Sequence, residues 1–212
     1  MANLKKYLLY FLILIYVSGA VGFLIKPSFF SPFTPFTLVF TSLVFLIYQP
    51  ITTLNYLVSF FAIAIIGFVS EVVGVKTGLV FGNYYYGSAL GYQLLSVPLV
   101  ICLNWALLIN MGVLVAAYFS SKAIVVAFLS AVIVTSVDFL MEQVASRLNF
   151  WHFSNGLAGI HNYIAWFLIA FFTTFLLQQH LSKGNKKVAA IILLLQLFFF
   201  GVIYSFKLFN FT

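Results

Sequence analysis

From residue 7 onward the chain is a succession of apolar runs separated by short polar breaks, most of them near the ~20 residues a helix needs to cross a hydrocarbon core. The runs cover roughly 7–25, 33–48, 52–73, 94–119, 123–146, 162–181 and 188–207, and they predict about seven transmembrane helices. Barrel strands would alternate lipid-facing and lumen-facing residues over about ten positions. These runs are instead uniformly apolar, so the prediction is an all-α polytopic membrane bundle formed by residues 1–212 as a single transmembrane domain. The second run starts irregularly, because Pro27, Pro32 and Pro35 interrupt it.

Composition agrees with the pattern. The chain is 64% hydrophobic and 6% charged, with a mean hydropathy of +1.16, against about 25% charged in an ordinary soluble domain. A net charge of +7 would point to nucleic acid in a soluble protein. Here the basic residues sit mostly at span ends, where membrane topology accounts for them, and no nucleic-acid partner is predicted. With the N-terminus inside, Lys5, Lys6, Lys122, Lys183, Lys186 and Lys187 fall on the inner side, against Lys26, Lys76, Arg147 and Lys207 outside. Lys5 and Lys6 followed by an apolar run, with small residues at Ser18-Gly19-Ala20, resemble the start of a signal peptide. The run is longer than a usual signal core, which predicts an uncleaved anchor. Cys102 is the sole cysteine, so an intrachain disulfide is excluded, and its position in an apolar run predicts simple packing.

The three acids change the picture most. Glu71, Asp138 and Glu142 all fall inside or at the end of a predicted span. Charge at bilayer depth costs at least a few kcal/mol, so such residues face the bundle interior and mark a functional path or a structural ion pair. Asp138 and Glu142 are four apart and share a helix face, which Thr135 and Ser146 extend. Two carboxylates that close repel, which favours holding a proton between them. Arg147, Lys76 or His161 could instead neutralise the acids in a packing network. Alternating topology brings the ends of the third and fifth spans to one face, so all three acids can converge.

The connections on that face are unusual. Residues 74–93 read GVKTGLVFGNYYYGSALGYQ and residues 148–161 read LNFWHFSNGLAGIH, both mixing glycine with aromatics. Each follows an acid-bearing helix and leads to a tryptophan, Trp105 or Trp166, a weak internal repeat that predicts two quasi-equivalent walls around one cavity. An interfacial aromatic belt is the alternative. His152, His161 and His180 lack a recognised metal spacing and predict hydrogen-bonding roles; no metal or cofactor is called for. Asn104 and Asn110 read as interhelical glue, and Asn162, beside the second loop, as a functional candidate. No Walker loop, nucleotide glycine fingerprint or Asp-rich diphosphate motif is present.

These residues carry a resemblance. Glu71-x-x-Gly74-x-x-Thr77-Gly78-x-x-Phe81-Gly82-x-Tyr84-x-Tyr86, then Gly91, Val97-Pro98 and Trp105, resembles the carotenoid biosynthesis membrane family that includes bisanhydrobacterioruberin hydratase and the γ-carotene or lycopene hydratases. Asp138-x-x-x-Glu142, Val144-Ala145, Phe150-Trp151, Asn162-Tyr163 and Trp166 resemble its second signature, so the likeness spans about residues 67–167. Gln143, Phe153 and His161 depart from it, standing at or near positions where proline, tryptophan and proline are common.

The resemblance implies cofactor-independent addition of water to the terminal (1',2') double bond of an acyclic ψ end group in a prokaryotic cytoplasmic membrane, with carotenoid and water as the partners. Hydrating an isolated alkene needs a positioned acid, a tertiary carbocation and capture by water. Asp138 or Glu142 is the candidate donor, with Glu71 orienting or deprotonating the water. Candidate substrate contacts are Phe81, Tyr84, Tyr86, Trp105, Trp151, His161, Asn162 and Trp166, some of whose π faces would stabilise a cation by up to about 2 kcal/mol. A proton-coupled transporter and a non-catalytic carotenoid- or lipid-binding scaffold are the competing functions. A retinal receptor is disfavoured because the last span offers only Lys207, at its end.

Overall fold

The computed structural model describes residues 2–50 and 54–209, the side chains of 2 and 207–209 excepted. The expected start of the third span at residue 52 and the Lys207 side chain therefore lie outside the described residues. Among the described residues, eight α-helices form nearly all of the fold. They are α1 (Ala2–Ile25), α2 (Pro27–Phe30), α3 (Thr34–Ile47), α4 (Leu54–Thr77), α5 (Val100–Ala116), α6 (Ala123–Ala145), α7 (Ile160–Leu181) and α8 (Lys186–Phe209). Six apolar helical segments, with Pro27–Ile47 counted as one, are long enough to cross a membrane, and α5 is a shorter apolar helix of 17 residues.

The proline-rich start of the second span resolves into a one-turn α2, a 3-10 turn over Ser31–Phe33, and α3. Pro27, Pro32 and Pro35 each stand in the first two positions of one of these pieces, where a missing N–H costs nothing.

The fourth span differs from its expected extent. Residues 93–98 form a hairpin, β2 (Gln93–Leu94) with β3 (Val97–Pro98), and helix begins only at Val100. Leu95 and Ser96, the two turn residues, have φ of +53° and +68°. Two left-handed positions in a two-residue loop match the twist of a hairpin, so an apolar run that reads as helix folds back on itself. The third span also runs longer than expected, to Thr77.

α5 is buried almost all round and packs against α3, α4, α6, α7 and α8, which makes it the central post of the bundle. One end of the molecule is tied by basic side chains: Lys5 Nζ donates to the Ile47 carbonyl at 2.6 Å and Lys186 Nζ to the Ala117 carbonyl. At the other end the two glycine-aromatic loops meet. Strand β1 (Tyr84–Tyr86) pairs antiparallel with β4 (Trp151–Phe153), in the register Tyr84 with Phe153, Tyr85 with His152 and Tyr86 with Trp151. Further bonds tie the loops together, from Gly87 N to Phe150 O, Ser154 N to Asn83 O and Asn149 Nδ2 to Ser88 Oγ.

Candidate functional site

Glu71 lies almost two turns inside the end of α4, on a face it shares with Gly67 and Gly74. Those glycines explain how a carboxyl acquires bulky partners there. A Cβ on Gly67 would stand 2.2 Å from the Trp105 ring, and one on Gly74 would stand 2.6 Å from Phe81 and 3.0 Å from the Tyr84 hydroxyl. Into the space so left come three donors. Tyr84 Oη and Tyr86 Oη donate to Glu71 Oε2 at 2.5 and 2.7 Å, and Trp105 Nε1 donates to Oε1 at 3.0 Å. Burial first, then the adjacent Glu71 carboxylate, hold both phenols well above their ordinary range, so they remain O–H donors.

Asp138 and Glu142 lie about two turns and one turn before the end of α6. Asn162, at the start of α7, spans them with one amide nitrogen, 3.0 Å from Asp138 Oδ2 and 3.4 Å from Glu142 Oε1. Trp151 Nε1 donates to Glu142 Oε2 at 2.9 Å. Asp138 is fully buried and its Oδ1 has no partner. Every side chain bonded to the three acids is neutral; among the described residues, Lys76, Arg147 and His161 bond to none of them, and all three are exposed.

A small cavity of about 20 Å³ lies between the two groups. Its lining includes Glu71, Asp138, Glu142, Asn162, Phe81, Tyr84, Tyr86, Trp151, Phe153 and Trp166. Such a volume accommodates one water molecule. Trp166 in the lining stacks on Trp105 behind it, with centroids 3.7 Å apart and planes 6° apart, joining the two acid-bearing halves. Trp105 belongs to the layer behind the cavity and acts on it through Glu71.

His161 is not brought to the cavity; it sits exposed in the first turn of α7. Ser146 is likewise not part of an inward stripe, being exposed at the C-cap of α6 and bonded to His152 Nδ1 at 2.9 Å. His152 makes a second hydrogen bond to Asn149 Oδ1 and stacks on Tyr85. Asn110 is glue as expected, accepting from Tyr56 Oη at 3.0 Å and donating to the Ala106 carbonyl.

A family model described as carotenoid biosynthesis protein matches residues 33–211. The chain belongs to the carotenoid biosynthesis protein family. No curated protein and no solved structure matches it. The matched stretch contains both acid-bearing helices, both aromatic loops and both stacked tryptophans, so the whole cavity lies within the region that defines the family. Family membership and the six spanning segments give a membrane protein with a role in carotenoid biosynthesis.

Asn104 belongs to the cavity lining and was not singled out by its sequence context. An asparagine inside an apolar run carries the same signal as Asn110, yet Asn104 is 7% exposed and its amide bonds to nothing among the described residues. Only the fold, which sets it at the edge of the acid cavity, separates the two.

Proposed function

We propose that the protein is a carotenoid hydratase that adds water to the terminal trisubstituted double bond of an acyclic ψ end group. The observation that carries this is the contrast among three acids, Glu71 and Asp138 buried and Glu142 half-buried, with no cation bonded to any of them among the described residues. Glu71 receives three donors, which suits a carboxylate acceptor, whereas the Asp138–Glu142 pair shares one amide, has one further donor in Trp151, and leaves Asp138 Oδ1 without a partner. Two bare negative charges side by side in a dry site are costly. One proton held by the pair removes that cost and leaves a carboxylic acid facing the cavity.

In the reaction, the carboxyl O–H bond breaks and its proton joins the alkene carbon that carries hydrogen. The π pair becomes the new C–H bond, and a tertiary carbocation remains at the neighbouring carbon. A water molecule supplies the electron pair of the new C–O bond. Its surplus proton passes to Glu71 and returns through solvent to the acid pair, so the net change is alkene plus water to tertiary alcohol. The rings of Tyr86, Trp151 and Phe81 border the space where the cation forms and stabilise it through their faces. No cofactor takes part in these steps.

A scaffold with structurally paired acids would bring Arg147 or Lys76 to them, and both stand exposed and apart. Expression in a host that accumulates lycopene or γ-carotene tests the proposal. Pigment extracts should gain ψ-end tertiary alcohols, and an unchanged extract with folded protein in the membrane would refute hydration of those substrates.

A further inference from the structure

A second, larger cavity adjoins the acid site. It has a volume of about 230 Å³ and runs between α1, α3 and α8. Its walls are almost wholly apolar, with Phe23, Phe30, Leu38, Phe199 and Phe200 among them. Ile101, Asn104 and Trp151 line both cavities, so the two meet there. The lining also includes Ser18 and Phe33, both exposed residues of spanning segments. The groove therefore leads from the lipid-facing surface to the acids.

Two buried polar atoms of its lining, Thr34 Oγ1 and Gln196 Oε1, have no partner. Asn104 stands at the junction, lining both cavities, with its amide bonded to nothing among the described residues. Gln196, 4% exposed, has an Oε1 with no partner, although its side chain reaches Tyr16. The Tyr16 hydroxyl lies 3.3 Å from Thr41 Oγ1, which itself donates to the Thr37 carbonyl at 2.7 Å, so the Tyr16 proton points to Thr41. Buried polar groups left unpaired are costly, and a groove that retains two of them is shaped for something absent from the protein itself.

We propose that this groove is the binding site for the acyclic isoprenoid chain of the substrate, which enters from lipid and delivers its terminal double bond to the acids at Asn104. This rests on the hydratase proposal for the identity of the reacting end, but the site stands on its own geometry. Enclosed ligands of drug size occupy about 300–1,000 Å³. A groove below that range takes one end of a long chain and leaves the rest in the bilayer, whose apolar interior it matches. Asn104, between chain and acids, is placed to hydrogen-bond the water that attacks the cation, and later the new hydroxyl.

Pigment retention reads this site without requiring turnover. Full-length protein purified in detergent from a lycopene-producing host should carry lycopene or its hydrated product. Gly19 offers a way to fill the groove, since a Cβ there meets only Phe199, at 3.8 Å. Gly19→Phe and Leu38→Trp should each retain about tenfold less pigment, a loss of about 1.4 kcal/mol in binding. Thermal unfolding of each variant is measured beside it, and Gly19→Ala serves as the mild substitution. Asp138→Asn should still bind pigment. Wild-type retention in a stably folded Gly19→Phe or Leu38→Trp protein would overturn the groove, whatever the activity. The expected loss of pigment in those variants with full turnover in both Asp138→Asn and Glu142→Gln would instead leave the groove standing and remove the acid mechanism.

Discussion

The two acid-bearing halves of the molecule look alike in outline and differ in how they treat a carboxyl group. Each supplies a helix ending in an aromatic loop, a loop strand and a tryptophan, and the halves join through the β1–β4 pair and the Trp105–Trp166 stack. In the first half Glu71 is enclosed by two phenol O–H groups and an indole N–H. In the second, Asp138 and Glu142 stand four residues apart, bridged by a single amide nitrogen, with one oxygen unpaired. In the proposed reaction the surplus of donors favours the carboxylate and the shortage favours a held proton. Under the hydratase proposal the two halves supply a base and an acid to one cavity.

The largest effect should come from the acid side. Asp138→Asn and Glu142→Gln should each lower turnover by about 10²–10⁴-fold, the range of a lost general acid, with unfolding temperatures near that of the native chain. Product analysis of membranes carrying each variant checks this, and near-native turnover in both would erase the contrast between the halves.

On the base side, the cage can be thinned one donor at a time. Trp105→Phe and Tyr86→Phe each remove a hydrogen bond to Glu71, worth about 1.5–3 kcal/mol when the acceptor is charged, and should cost about ten- to a hundredfold in turnover. Equal effects of these changes and of changes at Asp138 would mean that the two halves do not divide the chemistry.

A third variant addresses how the cage is built. Gly67→Val places methyl groups where the Trp105 ring lies, and overpacking of this kind costs about 1–3 kcal/mol. Thermal unfolding in detergent should record the loss, and activity should fall with it because Trp105 moves away from Glu71. The smallest effect is expected at Asn110, away from both cavities. Asn110→Leu strands the Tyr56 hydroxyl and should cost about 1 kcal/mol of stability while leaving turnover per folded molecule unchanged.

The acids, the aromatic loops and the helical bundle were legible in the sequence because each rests on a strong local signal. A carboxylate in an apolar run is rare enough to locate the site by itself, and Tyr84, Tyr86 and Trp151 follow their acids closely in the chain. Three features were not legible. The 93–98 hairpin hides in an apolar stretch because its turn is Leu95-Ser96, without the glycine or asparagine that ordinarily marks two left-handed positions. His161, adjacent to Asn162, faces away because neighbouring helical positions point about 100° apart. The apolar groove has no linear signature, since its walls are ordinary phenylalanines and leucines drawn from α1, α3 and α8.

The central claim is protonation of an alkene followed by capture of water, and isotopic labelling of the product tests it most directly. Membranes containing the protein and lycopene, incubated in deuterium oxide enriched in oxygen-18, should give a tertiary alcohol. That alcohol should carry oxygen-18 at the hydroxyl-bearing carbon and one solvent-derived deuterium on the adjacent carbon. A hydroxyl whose oxygen comes from dioxygen, or an alcohol without deuterium at the adjacent carbon, would contradict the mechanism.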